Sequence, residues 1–276
     1  MRIIGNSLEK LKELQSNYVQ CIVTSPPYWG LRDYDNKEQL GQENTPEEFV
    51  SNLADIFEES KRVLRDDGTA WINIGDTYFG AKGGAWIGDN SITTEKTGNE
   101  YRIKKKAPPK HNYLKIKDLV GVPWKFAIEM QKRGWYLRQD IIWHKPVPMP
   151  ESVNDRLQKS HEHIFLFSKK KNYYFDAMAI AKPSINEKDK LVRLQDVWTL
   201  PTSNYQGAHF AVFPQKLPEL CIKAGTKEGD IVLDPFMGSG TTAYVAQRLS
   251  RKWIGIELNP EYVKIIKERT AQRSLF

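Results

Sequence analysis

This chain of 276 residues is predicted to be an α/β fold: a mixed sheet with helices on both faces and an antiparallel hairpin at one edge. Three observations carry that expectation. Short apolar runs of strand length alternate with stretches whose apolar residues recur at helical spacing. Glycine, proline and acidic pairs punctuate the junctions between them. Two apolar runs, 161–168 and 172–175, flank Lys169-Lys170-Lys171, a pattern that reads as a hairpin.

Length and composition fit one large domain spanning 1–276, with insertions at 80–117 and 176–208. Hydrophobic residues at 40% can fill a core, and no apolar run approaches the roughly 20 residues of a membrane span. Met1-Arg2-Ile3-Ile4-Gly5-Asn6 lacks a signal-peptide layout. The expectation is a cytoplasmic protein with no membrane partner. Cys21 and Cys221 lie in apolar surroundings at no metal spacing, so they read as reduced core residues. Forty-one basic against 34 acidic residues leave a net charge of +7, a weak pointer to an acidic partner.

The elements follow in order. Arg2-Ile3-Ile4 is a short strand, and Ser7 is placed to cap a helix over 8–14. Val19 to Thr24 reads as a buried strand that stops at Ser25-Pro26-Pro27-Tyr28, since two prolines cannot extend a central ladder. Thr45-Pro46-Glu47-Glu48 is a capping box with proline at the first helical position. Its helix carries Phe49, Leu53, Ile56, Phe57, Val63 and Leu64 on one face. Asp66-Asp67-Gly68 turns the chain into a strand over 69–74. Gly80 to Lys117 shows no clear period and is long for a bare connection. A helix over 119–133 closes at Gly134, and a strand runs from Trp135 to Trp143. The stretch 177–208 is irregular, with Trp198 as an apolar anchor. A helix over 216–223 precedes the strand 230–233, and Thr241 to Leu249 is helical. Lys252 to Glu257 is the next strand, and Asn259-Pro260 starts the last helix.

The stretch with the strongest chemistry is Asp234-Pro235-Phe236-Met237-Gly238-Ser239-Gly240-Thr241-Thr242. Strand, glycine loop and helix start in succession bring bare N–H groups and the positive end of a helix dipole up to a ligand. No lysine follows the glycines, so this is not a P-loop, and it is not a full G-x-G-x-x-G. Glu257 ends the next strand, 23 residues after Asp234, where an acid commonly holds ribose hydroxyls. A nucleoside ligand without a triphosphate fits, with a carboxylate at the helix start. S-Adenosyl-L-methionine meets both requirements. On spacing alone, a tight strand–helix turn with a solvated Glu257 stays open.

A second motif lies over 200 residues earlier. In Thr24-Ser25-Pro26-Pro27-Tyr28-Trp29, Ser25 Oγ and the Pro26 carbonyl can accept hydrogen bonds from an exocyclic amino group, and Tyr28 offers a face to a planar base. A proline turn after a strand is the alternative for the two prolines alone. Together the motifs resemble the amino-methylating DNA methyltransferases, which methylate cytosine N4 or adenine N6. Trp143-His144-Lys145-Pro146, Pro150-Glu151-Ser152-Val153, Ser160-His161-Glu162-His163, His209 to Pro214 and Gly255 to Asn259 are also similar to family members. The acceptor motif precedes the cofactor motif, the circularly permuted order called group β.

The resemblance implies a Rossmann-like methyltransferase fold, S-adenosyl-L-methionine as cofactor with no metal, and direct transfer to a base flipped out of duplex DNA. It implies catalytic roles for Ser25, Pro26, Pro27 and Tyr28. It places Asp234, Phe236, Gly238, Ser239, Gly240 and Thr241 in the cofactor pocket, Glu257 on the ribose, and Phe210 and Phe213 at the methionine end. Asn6 stands where the family usually has Asp near the adenine ring. A cytosine C5 mechanism needs a nucleophilic cysteine in a Pro-Cys loop, which is missing. Ser before Pro-Pro-Tyr leans toward cytosine N4, with adenine N6 as the alternative and RNA or protein amide methylation more distant. A bacterial, archaeal or phage source, a cognate restriction endonuclease and a homodimer fit the family.

For phosphates, the first candidate is the run 102–117, with seven basic residues and no acidic one: Arg102, Lys104, Lys105, Lys106, Lys110, Lys115 and Lys117. Tyr101, His111 and Tyr113 interleave with these charges. Lys169-Lys170-Lys171 is second, with a solvated turn as its alternative reading. His144 and Lys145 are further DNA-contact candidates, while His161 and His163 read as structural.

Overall fold

Apolar side chains on both faces of the central strands force the chain to cover its sheet twice. The computed structural model describes residues 2–30, 38–82, 85–86, 92–97, 100–105, 110–184, 187, 189–202 and 213–271. The first elements are β1 (Arg2–Ile4), α1 (Ser7–Lys12), β2 (Val19–Thr24), α2 (Pro46–Val63) and β3 (Leu64–Ile74). Two short ribbons follow, β4 (Ala81–Lys82) with β5 (Ala85–Trp86), and β6 (Ile92–Thr97) with β7 (Glu100–Lys105). Then come α3 (Val122–Lys132), β8 (Tyr136–His144), β9 (His161–Ser168), β10 (Lys182–Pro183), β11 (Leu191–Val192) and β12 (Val197–Thr199). The chain closes with α4 (Lys216–Gly225), β13 (Ile231–Asp234), α5 (Thr241–Arg248), β14 (Lys252–Glu257) and α6 (Tyr262–Ala271).

Eight strands form one sheet in the order β1-β14-β13-β2-β3-β9-β8-β12. Every neighbouring pair is parallel except the two made by β9, so β9 alone runs against the rest. Along β2 the two-residue period sorts side chains to opposite faces: Ile22 joins the core under α1, α2 and α3, while Cys21 and Val23 join the core under α4 and α5. Phe49, Leu53 and Phe57 from α2 are fully buried in the first core, each contributing roughly 1.5–3 kcal/mol by leaving water. Thr45 caps α2 by accepting from the Glu48 N–H at 3.1 Å, with Pro46 in the first turn, as the capping box requires.

Five local expectations are corrected. Asn6, not Ser7, caps α1: its Oδ1 accepts from the Leu8 and Glu9 N–H groups at 2.9 and 3.4 Å. Asp66-Asp67-Gly68 lies inside β3, which starts at Leu64 and carries a register shift opposite Val19/Cys21. Helix α3 starts at Val122 rather than 119, because the Asp76 carboxylate takes the Gly121 and Val122 N–H groups at 3.0–3.1 Å. The stretch 172–175 is not a strand. The Tyr174 N–H goes to the Asp67 carbonyl and the Asp176 N–H to that of Ala224. The antiparallel element is therefore β9 itself, inserted between β3 and β8. Finally, 80–117 contains the two ribbons just named, and 176–208 contributes β12 to the sheet, with Trp198 buried and stacked on Trp71.

Candidate active site

The carboxyl ends of β13 and β2 meet at the point where the connections part, α5 leaving to one face and α2 to the other. Such a crevice is where open α/β sheets take ligands. Hydrogen bonds lace the strand ends together. Thr24 Oγ1 donates to Asp234 Oδ1 at 2.6 Å, across 210 residues of chain. Ser7 Oγ donates to the Pro235 carbonyl at 2.6 Å, the Met237 N–H to the Ile256 carbonyl at 2.9 Å and the Gly5 N–H to the Glu257 carbonyl at 2.9 Å. Above them opens a cleft of about 1950 Å³. Both sequence motifs line it: Ser25, Pro26, Pro27, Tyr28 and Trp29 on one side, Asp234 to Ser239, Thr241 and Glu257 on the other.

Two acids on the cofactor side are held in unfavourable surroundings. Burial pushes the Asp234 carboxyl up to about 6, against the lowering effect of hydrogen bonds from Thr24, Thr242 and the Phe236 N–H. Burial also raises Glu257, although its carboxylate accepts from the Gly238 and Asn259 N–H groups at 2.7 and 2.8 Å. The loop between them suits close approach by a ligand. Gly238 and Gly240 sit at φ +50° and +82°, and a Cβ at Gly238 would meet no atom within 4 Å. The expectation of bare donors is corrected at both glycines, since the Gly238 N–H goes to Glu257 and the Gly240 N–H to the Met237 carbonyl at 2.9 Å. A loop without side chains, a helix start and two acids still fit S-adenosyl-L-methionine, which carries ribose hydroxyls, a carboxylate and positive charge. Phe236 and Phe213 also line the cleft, Phe236 tilted against Phe57 at 6.4 Å. Phe210 lies outside the described residues. Asn6 is at the cleft wall with its amide oxygen engaged in capping α1. Arg269 of α6 donates to Ser239 Oγ and Thr241 Oγ1 at 2.8 and 3.0 Å, a clasp on the loop with no signal in the sequence.

Gly255, on β14 behind this loop, touches Met237. A Cβ there collides with the buried Met237 thioether. Gly255→Ala is expected to lower stability by about 1–3 kcal/mol, read from urea unfolding. An unchanged midpoint would show that the loop yields freely.

On the acceptor side, no donor among the described residues reaches the Pro26 carbonyl. Tyr28 packs its ring on Gly75, the residue after β3, and sends its hydroxyl inward to Glu162. Trp29 is fixed by stacking on Phe79 and by donating to the Glu43 carbonyl at 3.0 Å. The motif is thus held rigid on three sides. Asn73 and Glu162 complete this wall and were not foreseen. The signal for Asn73 was a lone amide in the apolar run Trp71-Ile72-Asn73-Ile74, and Glu162 stood in the family-like stretch Ser160 to His163 with no role given to the acid.

The expected DNA contacts divide. Lys145 is not a free surface cation: it pairs with Glu162 and lies over the Trp143 ring at 4.5 Å. His144 meets Thr199 Oγ1 at 3.2 Å. Lys110 is exposed, and Lys115 pairs with Asp118 at 3.1 Å. Arg102, Lys104 and Lys105 fall on β7, while Lys106 lies outside the described residues. His111 is not an outward stacking ring, since its side chain is buried and bonds Glu47 at the start of α2 at 3.0 Å; Tyr113 stays exposed, with its hydroxyl on Glu47 at 2.5 Å. Lys169 sits at the opposite end of the strands from the cleft, because β9 runs antiparallel, and it ties Asp66, Asn17 and the Leu64 carbonyl. The cleft has basic residues the sequence had not singled out, Arg156 and Lys159 from the loop between β8 and β9. They engage Glu151 and the Asp76 carbonyl, each at 2.6 Å. His163 bonds Asp140 at 2.9 Å and stacks on Phe165, a structural role. Among the described residues no group of three His, Cys, Asp or Glu could hold a metal, and no helix is long and apolar enough to cross a membrane.

A family model described as DNA methylase matches residues 19–268. The chain is 47% identical over 271 residues to the type II methyltransferase M.SmaI of Serratia marcescens, covering 98% of this chain and 90% of that protein. Its fold is similar to that of PvuII DNA methyltransferase (cytosine-N4-specific), with a TM-score of 0.71 at 24% identity, over all of this chain and 87% of the other. The M1.HpyAVI–SAM complex is also similar, at a TM-score of 0.58 and 22% identity over 98% of each chain.

Proposed function

From a chain that belongs to the N6/N4 DNA methylase family, with S-adenosyl-L-methionine as cofactor and DNA as substrate, we propose a site-specific enzyme that methylates cytosine N4. The observation that carries the amino-methylation reading is the Thr24–Asp234 bond, which sets the acceptor motif beside the cofactor loop. Glu257 would take the ribose hydroxyls, and the main chain of 238–240 and Asp234 would face the remainder of the cofactor. Bound there, it supplies a methyl group activated on a positively charged sulfur.

The chain's own part is to make an aromatic amine nucleophilic. The amine lone pair is delocalised into the base ring. Ser25 Oγ and the open Pro26 carbonyl accept its two N–H groups and favour a tetrahedral nitrogen, whose lone pair is then localised. Tyr28 stacks on the extruded base. Neither thiol can form an adduct with a base ring: both cysteines are fully buried, and burial pushes the Cys21 thiol up to about 12. Ser25, where an adenine enzyme more often has Asp, supports cytosine, as does the printed specificity of the PvuII enzyme. Residues 80–117 and 176–208 are the segments we assign to target recognition, and a restriction endonuclease of the same specificity is the partner this reading implies.

Unmethylated bacterial DNA treated with the protein and digested to nucleosides is expected to contain N4-methylcytosine. Finding 6-methyladenine alone would move the assignment to adenine N6. Methylation of RNA or protein with none on duplex DNA would overturn both.

A further inference from the structure

A directional chain of hydrogen bonds runs beneath the acceptor motif. Ser25 Oγ donates to Tyr28 Oη at 3.4 Å, and Tyr28 Oη donates to Glu162 Oε2 at 2.6 Å. Glu162 stands near the start of β9, with its side chain 12% exposed. It also accepts from Asn73 Nδ2 at 3.1 Å and pairs with the Lys145 ammonium. Asn73 is pinned in turn by donating to the His163 carbonyl at 3.2 Å. Burial opposes charge on Glu162, but Lys145 and the hydrogen bonds from Lys145, Tyr28 and Asn73 outweigh it and hold the carboxyl below its usual value.

An ionised carboxylate can only accept, so the polarity of the whole chain is set from its end. Tyr28 Oη also lies 3.4 Å from Asn73 Oδ1, but its single phenolic proton goes to the nearer and charged Glu162 oxygen at 2.6 Å. The phenolic oxygen is then left to accept, and the Ser25 proton turns toward it. The lone pairs of Ser25 remain for the substrate. A serine rotor left free would spend part of its time as a donor. A donor facing an –NH2 group competes for the nitrogen lone pair, the one electron pair that methylation needs.

We propose that Glu162 is a positioning residue that acts through Tyr28 to fix the Ser25 hydroxyl as an acceptor for the amino group of the target base. This rests on the amino-methylation reading above. Lys145 and Asn73 serve the same end by keeping Glu162 charged and in place.

The test is a double-mutant cycle on Glu162→Gln and Tyr28→Phe, read as the single-turnover rate of methyl incorporation into unmethylated bacterial DNA. Glutamine can donate to the phenolic oxygen and so reverse the chain, whereas phenylalanine keeps the ring and removes the link. Each single variant is expected to lose about 10–10²-fold in rate, with DNA affinity and KM within about twofold. The double variant should be no slower than Tyr28→Phe alone, and Glu162→Gln should add nothing in a Ser25→Ala background. Multiplying effects, or a wild-type rate for Glu162→Gln, would overturn the proposal. If Glu162→Gln fails to fold because Lys145 is left unpaired, Glu162→Gln with Lys145→Met removes that charge and enters the same comparison. A wild-type protein that transfers no methyl to an amino group of DNA would overturn the functional reading itself, and the proposal with it.

Discussion

Ser25→Ala is expected to lower the rate of DNA methylation by about 10²–10³-fold while leaving cofactor affinity within about twofold. The magnitude is that of losing one preorganised polar partner of a reacting group. Among the described residues the Ser25 hydroxyl makes one hydrogen bond, to Tyr28 at 3.4 Å, so its removal leaves the wall standing. The loop we assign to the cofactor is tied by Thr24, Ser7 and the Ile256 carbonyl instead. Binding and chemistry should therefore separate: cofactor titration unchanged, single-turnover rate collapsed. Unchanged turnover would remove Ser25 from the acceptor role and leave the Pro26 carbonyl to carry it.

Much of this wall was legible in the sequence, because its chemistry is local. Two prolines after an apolar strand end its ladder, and a glycine loop between strand and helix keeps side chains out of a ligand's way. Strand β14 matches its expected span, and the capping box of α2 forms as read. What escaped depends on partners distant in sequence. Glu162 is one acid between two histidines until β9 threads between β3 and β8 and brings it to Tyr28, Asn73 and Lys145. The same insertion displaced the expected edge hairpin, since a strand's local pattern does not name its neighbours. His111 looks like a stacking ring among lysines, but a local pattern cannot show that Glu47 lies beside it and that its ring is buried.

Asp234→Asn is expected to remove a pH dependence of stability worth about 3 kcal/mol. The folded carboxyl is pushed up from its ordinary 3.8 to about 6 by burial, a gap that corresponds to about 3 kcal/mol. Between those two values the folded state holds the proton and the unfolded state does not. Stability attributable to this group is therefore fully present below about 4 and is lost as pH rises through about 6. Asparagine fits the same contacts without the charge. Its Oδ1 can take the Thr24 hydroxyl and the Phe236 N–H, both of which meet Asp234 Oδ1. In urea unfolding, the wild type should fall behind the variant as pH rises from about 4 to 6 and stay behind at pH 7. Parallel curves would sink the assignment. A buried carboxylate whose hydrogen bonds do not outweigh its burial is favoured by a ligand that brings positive charge, and the cofactor carries a sulfonium and an ammonium against one carboxylate. Wild-type affinity for S-adenosyl-L-methionine should accordingly rise with pH through about 6, and Asp234→Asn should bind more weakly with that rise abolished. On the proposed assignment, the residue that costs stability at neutral pH would be the one that favours the cationic cofactor.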